Sequence, residues 1–252
     1  MRRIFSLLAI VLLFLSCGMA QDLATSDTPT HQVRPAKEPQ SAEEIWADLV
    51  AGNKRFVAGK TKAHEFVQLR RSLVKAQHPK VIVLTCSDSR VPPELLFDKS
   101  LGDLFVVRTA GNVADAVGLG SIEYAVEHLG SSLLVVLGHE KCGAVTAACS
   151  GEKMPTSNLQ AIMDKIDPAV TSAKSYAKAG GLVEAAILEN VHRSAEDLLG
   201  GSEVVRHALK EGKLSIVEAV YKLDGGEVRR LGRLAVVPMA YKLDVGDVVR
   251  VE

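Results

Sequence analysis

Aromatic residues make up only 4% of this 252-residue chain, and neither sign of charge is in excess. The scarcity of aromatics argues against a surface that stacks nucleic-acid bases. Thirty basic residues balance thirty acidic ones, so the composition also argues against nucleic acid or an anionic surface as a partner. Hydrophobic residues, by contrast, reach 47%, which is enough for one domain with a sizeable core.

The apolar run near the N-terminus, at residues 4–15, is too short to span a membrane as a helix. Two arginines precede it and small residues follow it up to Ala20, a pattern typical of a secretory signal over residues 1–20. Cys17 lies in a context that loosely resembles a bacterial lipoprotein acylation site, so a lipid anchor is the second interpretation. We expect an exported protein, periplasmic or secreted, that attaches to a membrane only if Cys17 is lipidated. A polar linker with three prolines is expected over residues 21–40.

A continuous apolar run at residues 81–84 ends just before three reactive side chains, Cys86, Asp88 and Arg90. An unbroken aliphatic and β-branched run is typical of a strand buried on both faces of a parallel sheet. Such sheets place their chemistry beyond the carboxyl ends of the strands. The three side chains are therefore expected at that edge of the sheet.

A second apolar run, at residues 133–137, is followed by His139 and Cys142. Their spacing puts both side chains on one side of a tight turn or a first helical turn. Together with Cys86 they form a Cys₂His set that leaves one tetrahedral position over, the pattern of a catalytic zinc site. A disulfide between Cys86 and Cys142 is the alternative in an exported protein, but it gives His139 no role. Cys149 is expected to be a small buried core residue.

The order of predicted elements indicates an α/β fold, with a mostly parallel β-sheet flanked by helices. A capping box at residues 41–44 begins the first helix of an N-terminal helical arm. Strand runs, one of them at 104–107, alternate with helical segments such as 118–129. A long helix over 182–211 then precedes a strand over 213–222.

The C-terminal part contains a short internal echo, in which residues 221–228 resemble residues 241–248. Each copy places Asp and Gly between apolar segments, which predicts two successive hairpin turns. We therefore expect one domain over residues 41–230 and a C-terminal β extension over 231–252.

The string C-S-D-S-R at 86–90, followed by G-H-x-x-C-G at 138–143, resembles the metal-site motifs of the β-class carbonic anhydrases. The resemblance covers residues 41–230 and includes G-N-x-R-F at 52–56 and S-I-E-Y-A at 121–125. It implies the β-class fold, one Zn²⁺ per subunit, and reversible hydration of CO₂ to bicarbonate and a proton by a zinc-activated hydroxide.

The resemblance also implies roles for the reactive residues. Cys86, His139 and Cys142 are the expected zinc ligands. Asp88 is expected either to pair with Arg90 and orient the attacking oxygen, or to ligate zinc itself in a closed state. A charge-assisted, bidentate carboxylate–guanidinium pair accounts for the D-x-R spacing.

The implied substrate pocket is of the plant type. Gln77 and the backbone N–H of Gly143 are expected to donate hydrogen bonds to substrate. Phe105 and Tyr124 are expected to form apolar walls from the adjacent subunit of a homodimer or a higher even-numbered oligomer. On the residues alone, ordinary core packing is the favoured interpretation of Phe105 and Tyr124, and Gln77 could equally be a polar helix end. Val83 replaces the tryptophan of relatives that have an inhibitory bicarbonate site, so no such site is expected.

Two other functions stay open at this point. The same scaffold serves some relatives as a hydrolase of carbon disulfide or carbonyl sulfide. The second open function is that of a non-catalytic protein of the cell envelope that binds bicarbonate or zinc. Such a protein does not require both Asp88 and Arg90.

Overall fold

The computed structural model describes residues 40–232 of the chain. The expected signal at 1–20, with Cys17, lies outside these residues, as do nearly all of the linker at 21–40 and of the extension at 231–252. Among the described helices, none combines the length and the apolar character needed to cross a membrane.

Helices and strands alternate through the first half of the described chain, as predicted. The elements in chain order are α1 (Ala42–Val57), α2 (Phe66–Ser72), β1 (Val81–Cys86), α3 (Pro93–Leu96), β2 (Leu104–Thr109), a 3₁₀ turn (Ala110–Asn112), α4 (Ala116–Glu127), β3 (Leu133–His139), α5 (Gly143–Ser150), α6 (Ser157–Lys174), α7 (Leu182–Gly201), α8 (Glu203–Lys210), β4 (Ser215–Tyr221) and β5 (Val228–Arg230).

The five strands form one sheet in the order β2-β1-β3-β4-β5. Strands β1 to β4 are parallel to their neighbours and only β5 is antiparallel, so the prediction of a mostly parallel α/β sheet is confirmed. In the central pair, Thr85 of β1 is in register with Leu137 of β3. The residues that follow these two on each strand therefore leave the sheet side by side.

Side chains of the central strands alternate between two cores, one on each face of the sheet. Ile82 and Leu84 point into the larger core, which α4 to α8 cover. Val81 and Val83 point into the smaller core, which α1 and α3 cover. Burial on both faces explains why β1 is an unbroken apolar run.

The N-terminal helical arm begins at the predicted capping box, in which Ser41 and Glu44 hydrogen-bond to each other's backbone N–H. Trp46 is buried and packs edge-on against Phe97, with 6.5 Å between the ring centroids. Helix α1 is thereby held against the smaller core. Helix α2 differs, because none of its residues is buried.

The prediction of one long helix over 182–211 is wrong. Ser202 has extended backbone angles (φ −127°, ψ 117°) and separates α7 from α8. Its hydroxyl oxygen accepts from the Val205 N–H at 3.1 Å, and the hydroxyl donates to Glu123 on α4 at 2.6 Å. The glycine pair at 200–201 followed by a serine is the local signal of this break.

The first copy of the C-terminal echo forms the predicted hairpin, since Tyr221 of β4 pairs with Val228 of β5. The second copy, at 241–248, lies outside the described residues.

Ser202→Ala is expected to lower the free energy of unfolding by about 1–3 kcal/mol, because it removes the α8 cap and leaves Val205 N–H and the Glu123 carboxylate unpaired. Urea unfolding followed by circular dichroism, at fixed protein and zinc concentrations, measures this. Ser175→Ala is the control: this exposed serine bonds only the nearby Ser172 carbonyl, and its loss should change stability by less than about 0.5 kcal/mol. Equal changes in the free energy of unfolding for the two substitutions would contradict the role of Ser202 as the α8 cap.

Candidate metal centre

Three side chains meet in the larger core just beyond the ends of β1 and β3. Cys86 lies at the end of β1, His139 at the end of β3, and Cys142 directly before α5. All three are buried, and their ligand atoms lie within 4.8 Å of one another. Sequence spacing predicted this group, and the structure brings it together.

The two sulfur atoms are free thiols 4.0 Å apart. A disulfide needs a separation of about 2.05 Å, so the Cys86–Cys142 disulfide considered above is not formed. Two thiolates on one tetrahedral zinc, each about 2.3 Å from the metal, would lie roughly 3.8 Å apart. The observed separation fits two ligands of one ion.

The His139 ring is oriented for metal binding. Its Nδ1 lies 2.9 Å from the Glu140 carbonyl oxygen, and because a carbonyl only accepts, Nδ1 carries the hydrogen and donates it. Nε2 is therefore left with a free lone pair. That atom is buried and has no hydrogen-bond partner among the described residues. An imidazole held by its second nitrogen, with the first aimed into a pair of thiols, is the usual arrangement of a metal ligand.

Backbone N–H groups surround both sulfurs. The Gly111 N–H donates to Cys86 Sγ at 3.3 Å, and Cys142 lies at the N-terminus of α5. The hydrogen bond from the Cys142 thiol lowers the pKa of Cys86 well below its ordinary value. The same bond, together with burial, raises the pKa of Cys142. One sulfur alone can therefore hold a negative charge readily, and a divalent cation between the two would allow both to ionise.

Asp88 and Arg90 form the predicted bidentate pair next to this group. Arg90 Nε and Nη2 donate to the two carboxylate oxygens at 2.9 and 2.7 Å, and the Arg90 backbone N–H adds a third bond at 2.9 Å. These bonds hold the pKa of Asp88 well below its usual range. Asp88 Oδ2 still lies only 3.9 Å from His139 Nε2. Of the two expected positions of Asp88, the structure contains the one paired with Arg90.

Arg108 supports this loop in a way that sequence reasoning missed. Its Nε donates to the Cys86 carbonyl at 3.0 Å and its Nη2 to the Asp88 carbonyl at 2.5 Å. The guanidinium thus ties β2 to the segment that carries both a ligand and the carboxylate. An arginine on a strand gives no local sign that it binds carbonyls of the neighbouring strand.

The expected pocket residues are only partly brought to the centre. Gly143 is exposed and follows Cys142 directly, with open space around its Cα. Gln77 lies exposed in the irregular segment 76–79, and no hydrogen bond of the described residues involves it. Phe105 and Tyr124 pack on each other, with 6.4 Å between the ring centroids, and Tyr124 is 48% exposed.

Cys149 is half-buried and packs at the border of the larger core, where a fully buried position was expected. It lies on α5, outside the ligand group. Burial raises the pKa of its thiol, which disfavours the thiolate form.

Cys86→Ser is expected to reduce the zinc content of the purified protein from one ion per chain to a small fraction, because two protein ligands hold zinc much more weakly than three. Atomic emission spectroscopy after dialysis against zinc-free buffer measures this. Cys149→Ser is the matched control and should keep its zinc. Equal zinc content in both variants would contradict the assignment.

Comparisons with known proteins agree with this geometry. The profile of a family described as carbonic anhydrase matches residues 81–228. A carbonic anhydrase 2 of Mycobacterium tuberculosis (strain ATCC 25618 / H37Rv) is 39% identical over 187 residues, which cover 72% of this chain and 88% of that protein. A carbonic anhydrase of Mycolicibacterium smegmatis is 40% identical over 199 residues, 77% of this chain and 94% of that protein.

Two solved structures have the same fold. The β-carbonic anhydrase CcaA superimposes with a TM-score of 0.58 at 28% identity, over 74% of this chain and 94% of that one. The β-carbonic anhydrase CafA of Aspergillus fumigatus gives a TM-score of 0.60 at 28% identity, over 74% and 90%. With its buried Cys₂His group at the ends of two parallel strands, this chain belongs to the carbonic anhydrase family and has the zinc-binding triad of the β class.

Proposed function

We propose that this carbonic anhydrase hydrates CO₂ reversibly at the group formed by Cys86, His139 and Cys142, with Asp88 and Arg90 as its catalytic residues. The observation that carries the proposal is the buried triad with the Asp88–Arg90 pair beside it. When bound, Zn²⁺ would acidify a water molecule, so that hydroxide is available near neutral pH.

Asp88 has the charge and the position to orient the attacking oxygen. Arg90 keeps it ionised, and its Oδ2 lies close to the ligand group. An ionised carboxylate there accepts a hydrogen bond from the attacking oxygen and so turns a lone pair of that oxygen towards the carbon of CO₂. Arg90 also reaches the Lys141 carbonyl at 3.5 Å, which links the two loops that carry the ligands.

The substrate side of the site is proposed to combine polar and apolar parts. Gly143 N–H, at the start of α5, would donate to bicarbonate, as would Gln77. Apolar walls from Phe105 and Tyr124 suit CO₂, which is uncharged. Because these two aromatics pack on each other at the outer edge of the sheet, we assign them to the pocket of a partner subunit.

A homodimer, or a larger even-numbered assembly, is supported by apolar surface on the described chain. Strand β2 is at the edge of the sheet, and it has a largely apolar sequence. Phe66 and Val67 on α2 are each 55% exposed, and Val74 is 79% exposed. Unpaired apolar edges and patches of this kind are normally covered by another chain.

Export is also part of the proposal. Its support is the charged start, short apolar run and small residues up to Ala20 in the sequence. N-terminal sequencing of protein recovered from the cell envelope or medium is expected to begin at Gln21. A chain that begins at Cys17 and incorporates labelled palmitate would show that the protein is lipid-anchored and not cleaved after Ala20. A chain that keeps Met1 would contradict export.

Asp88→Asn is expected to lower CO₂ hydration by about 10²-fold or more with zinc content unchanged, because the amide keeps the shape but loses the negative charge that pairs with Arg90 and strengthens the hydrogen bond from the attacking oxygen. Stopped-flow hydration assays on zinc-loaded protein measure the rate. Asp224→Asn, in the exposed β4–β5 turn, is the control and should retain full turnover. An active Asp88→Asn variant would refute the role. A zinc-loaded wild type that hydrolyses carbonyl sulfide and leaves CO₂ unchanged would refute the reaction.

Mixing two inactive variants tests the shared pocket. Cys86→Ser lacks a zinc ligand, and a Phe105→Ala, Tyr124→Ala double variant lacks the walls it lends to its partner. After subunit exchange, each mixed dimer has one complete site, so activity should return to roughly a quarter of the wild-type value. If mass spectrometry verifies the mixed dimers and activity still does not return, the shared pocket is refuted. Both aromatics would then serve only the structure of their own subunit.

A further inference from the structure

Helix α7 contacts the backbone directly behind Cys86 through a buried polar network. Asn190 Nδ2 donates to the Gly111 carbonyl at 2.7 Å. Ser194 Oγ lies 2.9 Å from the Asn112 carbonyl and accepts from Asn112 Nδ2 at 3.2 Å. Asn190, Ser194 and Asn112 are only 1–2% exposed. Buried polar groups on a core-facing helix are costly unless each has a partner. Asn190 and Ser194 both have partners in the 3₁₀ turn after β2, and Ser194 Oγ also lies 2.8 Å from the Asn190 carbonyl of its own helix.

The turn that this network holds has an unusual backbone. Gly111 (φ 72°) and Asn112 (φ 49°) are two successive residues in the left-handed region. At Gly111 the positive φ favours glycine, and a Cβ there would also lie 2.7 Å from Ile166 Cδ1, which would have to shift. Left-handed conformation is unfavourable for a non-glycine residue, although asparagine tolerates it better than most. Hydrogen bonds from outside the turn are therefore needed to keep it in place.

The consequence of this geometry reaches a zinc ligand. The Gly111 N–H donates to Cys86 Sγ at 3.3 Å. Asn190 holds the carbonyl of Gly111, and the N–H of the same residue faces the sulfur. The two groups lie on either side of the Gly111 Cα atom. Because the carbonyl is fixed by Asn190 and the φ and ψ angles by the packed turn, the direction of the N–H is fixed as well.

The same helix also lies against the strand that carries His139. A Cβ on Gly138 would be 2.5 Å from Val191 Cγ2, so the glycine before the histidine permits a close approach of α7. Helix α7 thus touches the backbone next to two of the three ligands.

We propose that Asn190 and Ser194 are positioning residues of the zinc centre. Asn190 through Gly111, and Ser194 through Asn112, hold the turn whose Gly111 N–H bonds the Cys86 sulfur. This N–H···S hydrogen bond withdraws charge from the Cys86 thiolate, which weakens its donation to the metal. The proposal rests on Cys86 as a zinc ligand. Outer hydrogen bonds of this kind orient metal ligands and tune the metal they hold.

Cobalt(II) replacing zinc gives a readout that is independent of turnover, the sulfur-to-cobalt charge-transfer absorption. Asn190→Leu and Ser194→Ala are expected to shift this band to longer wavelength, because a thiolate without its N–H bond loses an electron more easily. Ser194→Thr, which retains the hydroxyl, should keep the wild-type band. Hydration by the zinc forms of the first two should fall several-fold in kcat, with KM nearly unchanged.

Asn53→Leu is the matched control. Asn53 is also a buried asparagine, and it donates to the carbonyls of Leu96 and Gly226 at 3.0 and 2.9 Å, neither of which belongs to the metal site. Its loss should destabilise the protein and leave the cobalt spectrum unchanged.

The proposal is overturned if Asn190→Leu and Ser194→Ala each bind one cobalt and give the same spectrum as the wild type. Both residues would then have a structural role only. If Asn190→Leu does not fold, the Ser194→Ala and Ser194→Thr pair decides. The Cys86→Ser variant tells the two failures apart. It should bind little cobalt and lose most of the charge-transfer absorption, and a wild-type band in this variant would instead overturn Cys86 as a ligand.

Discussion

The site depends on the alignment of two neighbouring parallel strands that end side by side. β1 and β3 are in register up to Thr85 and Leu137, so Cys86 and His139 lie together at the strand ends, and Cys142 joins them directly before α5. Two sulfurs 4.0 Å apart in a buried place cannot both be charged without a cation. The fold therefore creates a group whose favourable ionised state requires a divalent metal.

Different residues of the centre bind the metal and carry out the chemistry. The three ligands are buried, whereas the side chains of Asp88 and Arg90 are 17% and 53% exposed. The charge of the Asp88 carboxylate is paired with the Arg90 guanidinium. Because each group has its own partners, we expect zinc affinity and turnover to respond to separate substitutions.

Local signals in the sequence predicted much of the architecture. The capping box at Ser41, the buried strand β1 and the ligand spacing were all visible, because each depends on residues a few positions apart. The break at Ser202 was missed although the glycine pair at 200–201 marks it locally, and the hydroxyl bond to Glu123, 79 residues away, could not be read from the sequence. The left-handed turn at Gly111 could not be read from the sequence, because Asn190, which holds it, is also 79 residues away.

The sequence by itself determined which chemical groups the centre contains and in what order they occur, and with them the α/β fold and the family. Only the tertiary structure decided that Asp88 pairs with Arg90, that His139 offers Nε2, and that a backbone N–H of the 111–112 turn faces Cys86. The reason is physical: spacing along the chain sets local geometry, whereas burial and hydrogen bonds between distant segments arise only when those segments pack.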